Sequence, residues 1–465
     1  MNAIGTPMQP PAMMDLAEAA RAVSGRLEGP AVAFSGVTTD SRAVSAGDLF
    51  VALKGERFDG HAYVEEAVRR GAVAALTSRR VEGGLPAAQL IVDDTRFALG
   101  RLAAHWRSRF RLPLVALTGS NGKTTVKEML TAILAAHCGS RDAVLATAGN
   151  LNNDIGMPLT LLELRPAHRF AVIEMGMNHE GEIEYLTHIA QPSVALVNNA
   201  QRAHIGLLGS QEAVARAKGE IYSGLGEHGE AVVNQDDPFA PYWKGLNAGR
   251  PIVTFGFAQD ADVRATAANG AWRFATPAGA FAVTLRVAGE HNVRNALAAC
   301  AAAHALAIPV SAMQSALAAF AGVPGRLQRR AGPHGSTVID DTYTANPESM
   351  KAALKVLAAE PGRRVLVMGD MGELGPQSPA MHAEVGEFAR RAGIEALLAV
   401  GDESRHAARA FGAGARHFAD LEALVPAARE EAQGGATLLV KGSRFMRMER
   451  VVVALAGEGG GAHAV

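Results

Sequence analysis

Cysteine is scarce in this chain, which has only Cys138 and Cys300 among its 465 residues. Two cysteines cannot form a disulfide framework, and nothing in the sequence suggests a zinc site. Both stand in alanine-rich stretches that are typical of helices, where a thiol serves as a small core side chain. The sequence therefore favours a protein of the reducing cytoplasm.

The chain also lacks an excess of charge of either sign and any long apolar run. The formal net charge is −1, which argues against a nucleic-acid scaffold and against an electrostatic membrane anchor. The longest apolar run, residues 296–310, contains His304 and Pro309 and is shorter than the roughly 20 residues that cross a bilayer. The first dozen residues have no signal-peptide pattern, so we expect a loose tail there and no membrane insertion.

Aromatic residues make up 5% of the chain although 48% is hydrophobic, so its cores must be built from alanine, valine and leucine. The length predicts about three domains, all of the α/β class. We expect a small N-terminal α/β domain (13–95), a central domain (96–323) and a C-terminal domain (324–456). The central domain is predicted to be of the P-loop type, with a mainly parallel sheet covered by helices on both faces, and the last to be Rossmann-like and doubly wound. A glycine-rich tail at 457–461 is expected to fray.

The most informative segment reads LVALTGSNGKTT over residues 114–125, an apolar strand that runs into a glycine turn and a helix. Such a turn directs backbone N–H groups at the phosphates of a nucleotide. Gly119 and Gly122 allow close approach, Lys123 supplies positive charge to the β/γ oxygens, and Thr124 offers a hydroxyl for Mg²⁺. The segment therefore predicts a nucleotide triphosphate site.

This loop departs from the common G-x-x-x-x-G-K-[ST] pattern, because Leu117 stands where the first glycine belongs. A chance turn is the alternative interpretation. The strand before the loop and the helix after it favour a true phosphate loop.

Three side chains that follow central strands could carry chemistry. Glu174 ends an apolar strand beside the phosphate loop and is placed to bind Mg²⁺, although a helix cap or an ion pair would explain it equally well. His204 follows the next strand and is ordinarily a solvated loop residue. Lys218 lies in a predicted helix, where an exposed lysine is the ordinary interpretation; a buried one with a lowered pKa would react with CO₂ and become a metal-ligating carbamate.

Polar residues also cluster near the predicted junction with the last domain. Asn292 and Asn295 either cap the alanine-rich helix or contact a base. Arg326 lies in the interdomain turn, from which an arginine can stabilise a transferring phosphoryl group. Two loops after C-terminal strands are either surface turns or parts of the same site, and they contain Asp340, Asp341, Tyr343, Asn346, Lys441, Ser443 and Arg444.

Nine motifs in a fixed order give the chain a family resemblance that covers nearly everything from Asp15 to about Val453. They read TGSNGKTT, GNLNNDIGMPLTLL, IEMGMNHEGEI, AHI, AKGEIY, GEHNVRNALAA, PGRLQ, DDTYTANP and KGSRFMRME. This order closely resembles the Mur ligase family of peptidoglycan synthesis. The Asp-Asn-Pro-Arg motif of the sibling that adds the third amino acid is missing, so the chain resembles the dipeptide-adding member. Thr344 departs from the family, which more often has asparagine there, and puts one nucleotide or domain contact in doubt.

The resemblance implies a role for each candidate. The ATP site would comprise Gly119, Ser120, Asn121, Gly122, Lys123, Thr124, Thr125, Asn292, Asn295, Arg326, Asp341 and Asn346. The metals would be bound by Thr124, Glu174, His204 and Lys218, and the catalytic residues would be Lys123, Glu174, His204, Lys218 and Arg326. The UDP-linked substrate would contact Asp40, Ser41, Arg42, Asn150, Asn152 and Asn153, and the D-Ala-D-Ala side would consist of Lys441, Ser443 and Arg444.

The resemblance further implies a cytoplasmic, monomeric ligase that uses ATP, two Mg²⁺ ions and a carbamylated Lys218. It would join D-alanyl-D-alanine to the terminal carboxylate of UDP-N-acetylmuramoyl-tripeptide through an acyl phosphate. A diaminopimelate-adding Mur ligase and a folylpolyglutamate synthase are alternatives with the same central domain. A nucleotide-gated binding protein without ligase activity is an alternative of a different class.

Overall fold

The computed structural model describes residues 11–82 and 87–457. Within this part of the chain the strands form three large sheets and one short antiparallel ribbon. Each large sheet takes its strands from one of the three predicted domains, although the domain boundaries themselves stay predictions. The predicted α/β class is confirmed. Almost all of the first dozen residues and of the tail at 457–461 lie outside the described residues.

The N-terminal domain is a small sheet flanked by short helices. Its sheet has the order β2-β7-β6-β5-β4, in which β4 to β7 are parallel and β2 is antiparallel to β7. The elements are β1 (Met14–Asp15), α1 (Leu16–Val23), β2 (Arg26–Glu28), β3 (Ala33–Phe34), β4 (Gly36–Thr38), β5 (Asp48–Val51), α2 (Val64–Arg70), β6 (Ala74–Thr77), β7 (Ala88–Ile91) and α3 (Thr95–Arg107).

The central domain contains alternating strands and helices followed by two hairpins. Its first elements are β8 (Leu114–Thr118), α4 (Lys123–Cys138), β9 (Val144–Ala146), α5 (Gly156–Leu162), β10 (Phe170–Glu174), α6 (Glu182–Ala190), β11 (Val194–Val197), α7 (Ile205–Leu208) and α8 (Gln211–Gly219). They are followed by β12 (Glu230–Asn234), α9 (Ala240–Leu246), β13 (Ile252–Gly256), β14 (Val263–Ala268), β15 (Ala271–Thr276), β16 (Gly279–Val283), α10 (Glu290–Ala305) and α11 (Val310–Ala319).

The central sheet has the order β16-β15-β14-β13-β12-β11-β8-β10-β9. From β9 to β14 the neighbouring strands are parallel, which confirms the predicted parallel sheet, whereas β15 and β16 add antiparallel pairs that the sequence analysis did not foresee. Apolar cores cover both faces of the sheet. The carboxyl ends of β8, β10 and β11 therefore meet at one edge, where ligands bind in open α/β sheets.

The C-terminal domain is doubly wound, as predicted. Its sheet has the order β17-β18-β22-β19-β20-β21 and is parallel except at β17, and apolar cores lie on both of its faces. The elements are β17 (Gln328–Ala331), β18 (Thr337–Asp341), α12 (Pro347–Ala358), β19 (Arg364–Met368), α13 (Ser378–Arg391), β20 (Ala396–Val400), α14 (Ser404–Phe411), β21 (Ala415–Phe418), α15 (Leu421–Glu431), β22 (Thr437–Lys441) and α16 (Glu449–Ala456).

The alanine-rich helix α10 packs directly on the central sheet and on α4. Residues 296–303 are all fully buried, because alanine side chains let the helix backbone approach its neighbours closely. Cys300 lies among them, and burial raises the pKa of its thiol. Cys138, at the end of α4, is only half-buried, so the predicted core position holds for Cys300 alone.

We predict that Ala299→Leu destabilises the protein by about 1–3 kcal/mol, because added methylene groups have no space beneath α10. Urea denaturation with a fitted m-value measures this change. Ala318→Leu, at an exposed position of α11, is the control and should leave the free energy of unfolding nearly unchanged. Equal stability of the two variants would contradict the tight packing of α10.

Candidate functional site

The phosphate loop leaves β8 and enters α4 through a glycine that no other residue can replace. Gly122 is the N-cap of α4, with a left-handed φ of 80°. A Cβ atom there would overlap the side chains of Asn198 and Asn295. Leu117 is a fully buried residue of β8, so the position of the missing motif glycine belongs to the strand and not to the turn.

Asparagines after β11 hold the loop in place. The Asn199 side-chain oxygen accepts from the Asn121 backbone N–H at 2.9 Å, and the Asn198 amide donates to the Asn121 carbonyl at 2.8 Å. The Ser120 N–H donates to the Asn199 carbonyl at 3.0 Å. The sequence analysis assigned no role to Asn198 or Asn199; their position at the end of a central strand was the signal available.

Lys123 lies in the first turn of α4 and folds back over its own loop. Its ammonium group donates to the Gly119 carbonyl at 2.7 Å. Burial lowers the pKa of Lys123, with Arg326 adding to the effect, while the negative charges of Glu174 and Glu373 oppose it. An ammonium group that is already partly desolvated loses little hydration when it binds phosphate oxygens.

Glu174 ends β10 and has one carboxylate oxygen without a partner. Its Oε1 accepts from the Asn152 amide at 2.8 Å, and its backbone N–H donates to Thr147 Oγ1 at 2.9 Å. Its Oε2 is buried without a hydrogen-bond partner among the described residues. It neither caps a helix nor forms an ion pair there, so both ordinary interpretations are wrong. A buried free carboxylate oxygen fits a Mg²⁺ ligand.

His204 contacts the C-terminal domain. Its Nδ1 lies 2.5 Å from Glu373 Oε2, and this neighbour lowers the pKa of Glu373. Beside it the Gly206 N–H donates to the Glu373 carbonyl at 2.9 Å, where the Gly206 backbone packs against Gly375. His204 is therefore not a solvated loop residue but part of a domain contact.

Lys218 is fully buried near the end of α8, so the ordinary interpretation as an exposed lysine is wrong. Burial holds the pKa of its amine well below the usual value, and the positive charge of Lys123 lowers it further. The amine is thus favoured in its neutral, nucleophilic form.

Arg326 reaches the phosphate loop from the interdomain turn. Its guanidinium donates to Thr124 Oγ1 at 3.3 Å and stacks over the Tyr343 ring at 4.2 Å from the ring centroid. The stacking fixes the planar fork and leaves its remaining N–H groups free to face a ligand. Thr124 lies in the first turn of α4 and Arg326 in the predicted C-terminal domain, so this contact joins the two domains.

Lys441 pairs with an aspartate of the neighbouring strand. It ends β22 fully buried, and its ammonium contacts Asp341 Oδ2 at 2.7 Å and the Thr344 carbonyl at 2.6 Å. Ser443 Oγ donates to the next carbonyl along, that of Ala345, at 3.2 Å. The assignment of Lys441 to the D-Ala-D-Ala side stays a prediction. Because Thr344 accepts the bond from Lys441 through its backbone, the departure from the family motif does not affect it.

The phosphate loop and the C-terminal domain are joined by a reciprocal pair of amides. Asn346 Nδ2 donates to Asn121 Oδ1 at 2.8 Å, and Asn121 Nδ2 donates to Asn346 Oδ1 at 3.1 Å. Asn346 also caps α12 in a capping box with Ser349. Asn346 thus docks the start of α12 directly onto the phosphate loop.

Two cavities lie on opposite sides of the phosphate loop. The smaller, of about 410 Å³, is lined by Asn292, Asn295, Asp341 and Lys441 among others, and the larger, of about 950 Å³, by residues that include Lys123, Glu174, His204, Ser443 and Arg444. Gly122, Arg326 and Thr344 line both. We call these three shared residues the neck. One ligand can occupy each cavity with its reactive end at this neck.

The residues predicted to bind ATP are divided between the two cavities, and their roles stay predictions. The smaller cavity is lined by Asn121, Gly122, Thr125, Asn292, Asn295, Arg326 and Asp341, and the larger also by Ser120, Lys123 and Asn346. Asn292 and Asn295 lie inside the first turns of α10, whose N-cap is Gly289, so the capping interpretation is wrong. Asn150, Asn152 and Asn153 line the larger cavity.

Asp40, Ser41 and Arg42 line neither of these cavities. Asp40 caps the short helix at Ser41–Ala43 and forms a two-pronged pair with the exposed Arg42. That pairing lowers the pKa of Asp40 to about 2. Their assignment to the UDP-linked substrate stays a prediction.

No group of three or more histidine, cysteine, aspartate or glutamate side chains is arranged for a metal in the described ranges. In the part of the chain that the structure describes, Glu174 offers a buried carboxylate oxygen without a hydrogen-bond partner. This is compatible with Mg²⁺ that keeps water and substrate phosphates as its other ligands. Within the same residues no helix is long and apolar enough to cross a membrane.

Three models of known families match the chain in succession. The Mur ligase family catalytic domain matches residues 33–107, the Mur ligase middle domain matches 117–303, and the Mur ligase glutamate ligase domain matches 325–444.

Similar full-length proteins share one name, UDP-N-acetylmuramoyl-tripeptide–D-alanyl-D-alanine ligase. The protein from Escherichia coli is 46% identical over 93% of this chain and 96% of its own length. That from Bacillus subtilis is 34% identical over 93% and 96%.

Solved structures agree with these relatives. MurF from Acinetobacter baumannii has a TM-score of 0.89 at 38% identity, covering 97% of this chain and all of that one. MurF from Thermotoga maritima in complex with ADP has a TM-score of 0.79 at 29% identity, covering 90% and 96%. Escherichia coli FolC, at 19% identity and a TM-score of 0.61 over 76% of this chain and 92% of its own, shares the fold.

We predict that Gly122→Ala abolishes nucleotide binding, because the added methyl group forces the loop away from Asn198 and Asn295. Isothermal titration with ADP measures the loss. Gly139→Ala is the matched control, because Gly139 ends the same helix with a similar φ of 75° but has open space around it. Equal ADP affinity in both variants would refute the tight loop geometry.

Proposed function

Because this chain belongs to the Mur ligase family, we propose that it joins D-alanyl-D-alanine to the terminal carboxylate of UDP-N-acetylmuramoyl-tripeptide at the expense of ATP. The products are the UDP-linked pentapeptide, ADP and phosphate. The relatives that carry this name are similar over nearly their whole length. The reaction belongs to the cytoplasmic stage of peptidoglycan synthesis.

The observation that carries the proposal is the pair of cavities that meet at the phosphate loop. ATP in the smaller cavity would direct its γ-phosphoryl group to the neck at Gly122, Arg326 and Thr344. The peptide carboxylate would arrive at the same neck through the larger cavity. A transfer between two ligands needs this meeting point, and holding both reactants there supplies much of the rate enhancement.

The chemistry explains why cations surround the neck. A carboxylate resists attack by an amine, because it is negatively charged and oxide is a very poor leaving group. When the γ-phosphoryl group is transferred to it, the acyl phosphate formed can be attacked by the free amine of D-Ala-D-Ala, and phosphate then leaves. Lys123 and Arg326 stabilise the negative charges that meet during the first step.

Thr124 and Glu174 are the residues that would hold Mg²⁺. The ion neutralises phosphate charge when bound. Glu174 contributes the buried free oxygen, and Asn152 fixes the orientation of its carboxylate. We assign a second metal to His204 and Lys218, with Lys218 as a carbamate; its buried, neutral amine supports that reaction with CO₂.

Docking of the C-terminal domain protects the acyl phosphate from water. The contacts of Asn346 and Glu373 with the central domain hold it over the site. One chain supplies the lining residues of both cavities, which supports a monomer as the working unit.

We predict that D-Ala-D-Ala stimulates phosphate release from ATP and UDP-N-acetylmuramoyl-tripeptide more than any single amino acid does. A preference for diaminopimelate or glutamate would favour the diaminopimelate-adding or the folylpolyglutamate alternative. No ATP turnover with any amine would favour a nucleotide-gated binding protein.

We predict that Lys123→Ala lowers the rate of phosphate release at least a hundredfold. Lys355→Ala, on an exposed face of α12, should leave this rate unchanged.

The carbamate on Lys218 has its own test. Lys218→Ala should lose activity, and short-chain carboxylic acids should restore part of it by replacing the missing anion. The same acids should not restore Lys123→Ala, where a cation is lost. Failure of every acid to rescue Lys218→Ala would argue against the carbamate.

A further inference from the structure

Arg202 of the central domain pairs with residues of the C-terminal domain. None of the functions assigned above involves it. It lies in the loop between β11 and α7, two residues before His204. Its Nε donates to Glu348 Oε1 at 2.6 Å, and its two terminal nitrogens donate to the two oxygens of Glu384 at 2.9 and 3.0 Å. Glu348 lies in the first turn of α12 and Glu384 in α13.

The loop that carries Arg202 is bonded to the phosphate loop. The Gln201 N–H donates to Ser120 Oγ at 2.8 Å, and Ser120 Oγ donates to the Gln201 carbonyl at 3.1 Å. The Asn121 amide donates to the Gln201 side-chain oxygen at 2.6 Å. The phosphate loop is therefore linked through Gln201 to the next residue, Arg202.

The charges around Arg202 make this a strong contact. Its side chain is 24% exposed, and Glu384 is also paired with Lys351. These cations lower the pKa of Glu384 to about 2, so that its carboxylate is ionised throughout the physiological range. Two-pronged arginine–carboxylate pairs are among the stronger and more directional polar contacts in proteins.

We propose that Arg202 is a positioning residue that couples nucleotide binding to docking of the C-terminal domain, through its pairs with Glu348 and Glu384. The proposal rests on the proposed function. Arg202 does not touch the reacting groups. It acts by holding α12 and α13 against the central domain, which keeps Asn346 on the phosphate loop and closes the smaller cavity along its Glu348 side.

A coupling of this kind acts on the fraction of molecules in the docked state. Loss of Arg202 should raise the apparent KM for ATP, because the C-terminal domain forms one wall of the nucleotide cavity, and should lower kcat. We expect a combined fall of about tenfold in kcat/KM for ATP, within the usual range of coupling between sites. A merely structural role would lower thermal stability without changing the response to nucleotide.

The test compares Arg202→Ala with Arg364→Ala. Arg364 has the same 24% side-chain exposure and a comparable pair with Glu395, but both partners lie in the C-terminal domain. With a non-hydrolysable ATP analogue, Arg202→Ala should give a larger radius of gyration by small-angle scattering than the wild type. Arg364→Ala should match the wild type in scattering and in kcat/KM.

A double-mutant cycle with Glu384→Ala gives a second readout. If the two residues form one contact, the double variant should lose little more kcat/KM than either single variant. Additive losses, or a wild-type scattering profile and kcat/KM for Arg202→Ala, would overturn the proposal. Scattering does not require ligation, so a wild-type enzyme without D-Ala-D-Ala-dependent turnover would refute the proposed function and not the coupling.

Discussion

The site depends on one constraint: the phosphate loop must keep one conformation while its backbone N–H groups face a ligand. Helix α4 begins at Gly122, where a side chain would collide with Asn198 and Asn295, and Asn199 fixes the preceding turn. These amides come from β11 and α10, so the loop geometry is set by neighbouring elements of the sheet. Lys123 is then held over the loop by its bond to the Gly119 carbonyl, and Thr124 accepts a bond from Arg326.

The sequence predicted the parts of this arrangement that local chemistry determines. The phosphate loop, the parallel strands and the position of Glu174 at a strand end follow from apolar runs and turn residues, and each was found. Burial of Lys218 could not be predicted, because a lysine in a helix carries no local mark of what packs over it. Likewise, β15 and β16 carry no buried apolar run that would mark them: β15 buries only Phe274, and β16 only Phe281 and Val283. The pairing of Lys441 with Asp341 also could not be predicted, because it depends on the order of the strands in the sheet.

In this molecule the fold and the residues of the site tell different things about the substrate. Escherichia coli FolC shares the architecture at only 19% identity, so the fold alone does not select a substrate. Selection depends on the residues at the strand ends and on which cavity each one lines. Contacts between the domains depend on residues that are far apart in the chain, as in the contacts of His204 with Glu373 and of Arg202 with Glu384. Such contacts leave no spacing pattern that a single sequence could reveal.

The shared neck of the two cavities has a consequence for inhibitor chemistry. Its walls are a glycine without a side chain, an arginine held flat on a tyrosine, and a threonine. A compound that fuses a nucleotide mimic to a peptide mimic would carry its linker past these residues, where an anionic linker would face the guanidinium of Arg326. A cationic tether would be disfavoured there even if both end groups fitted their own compartments.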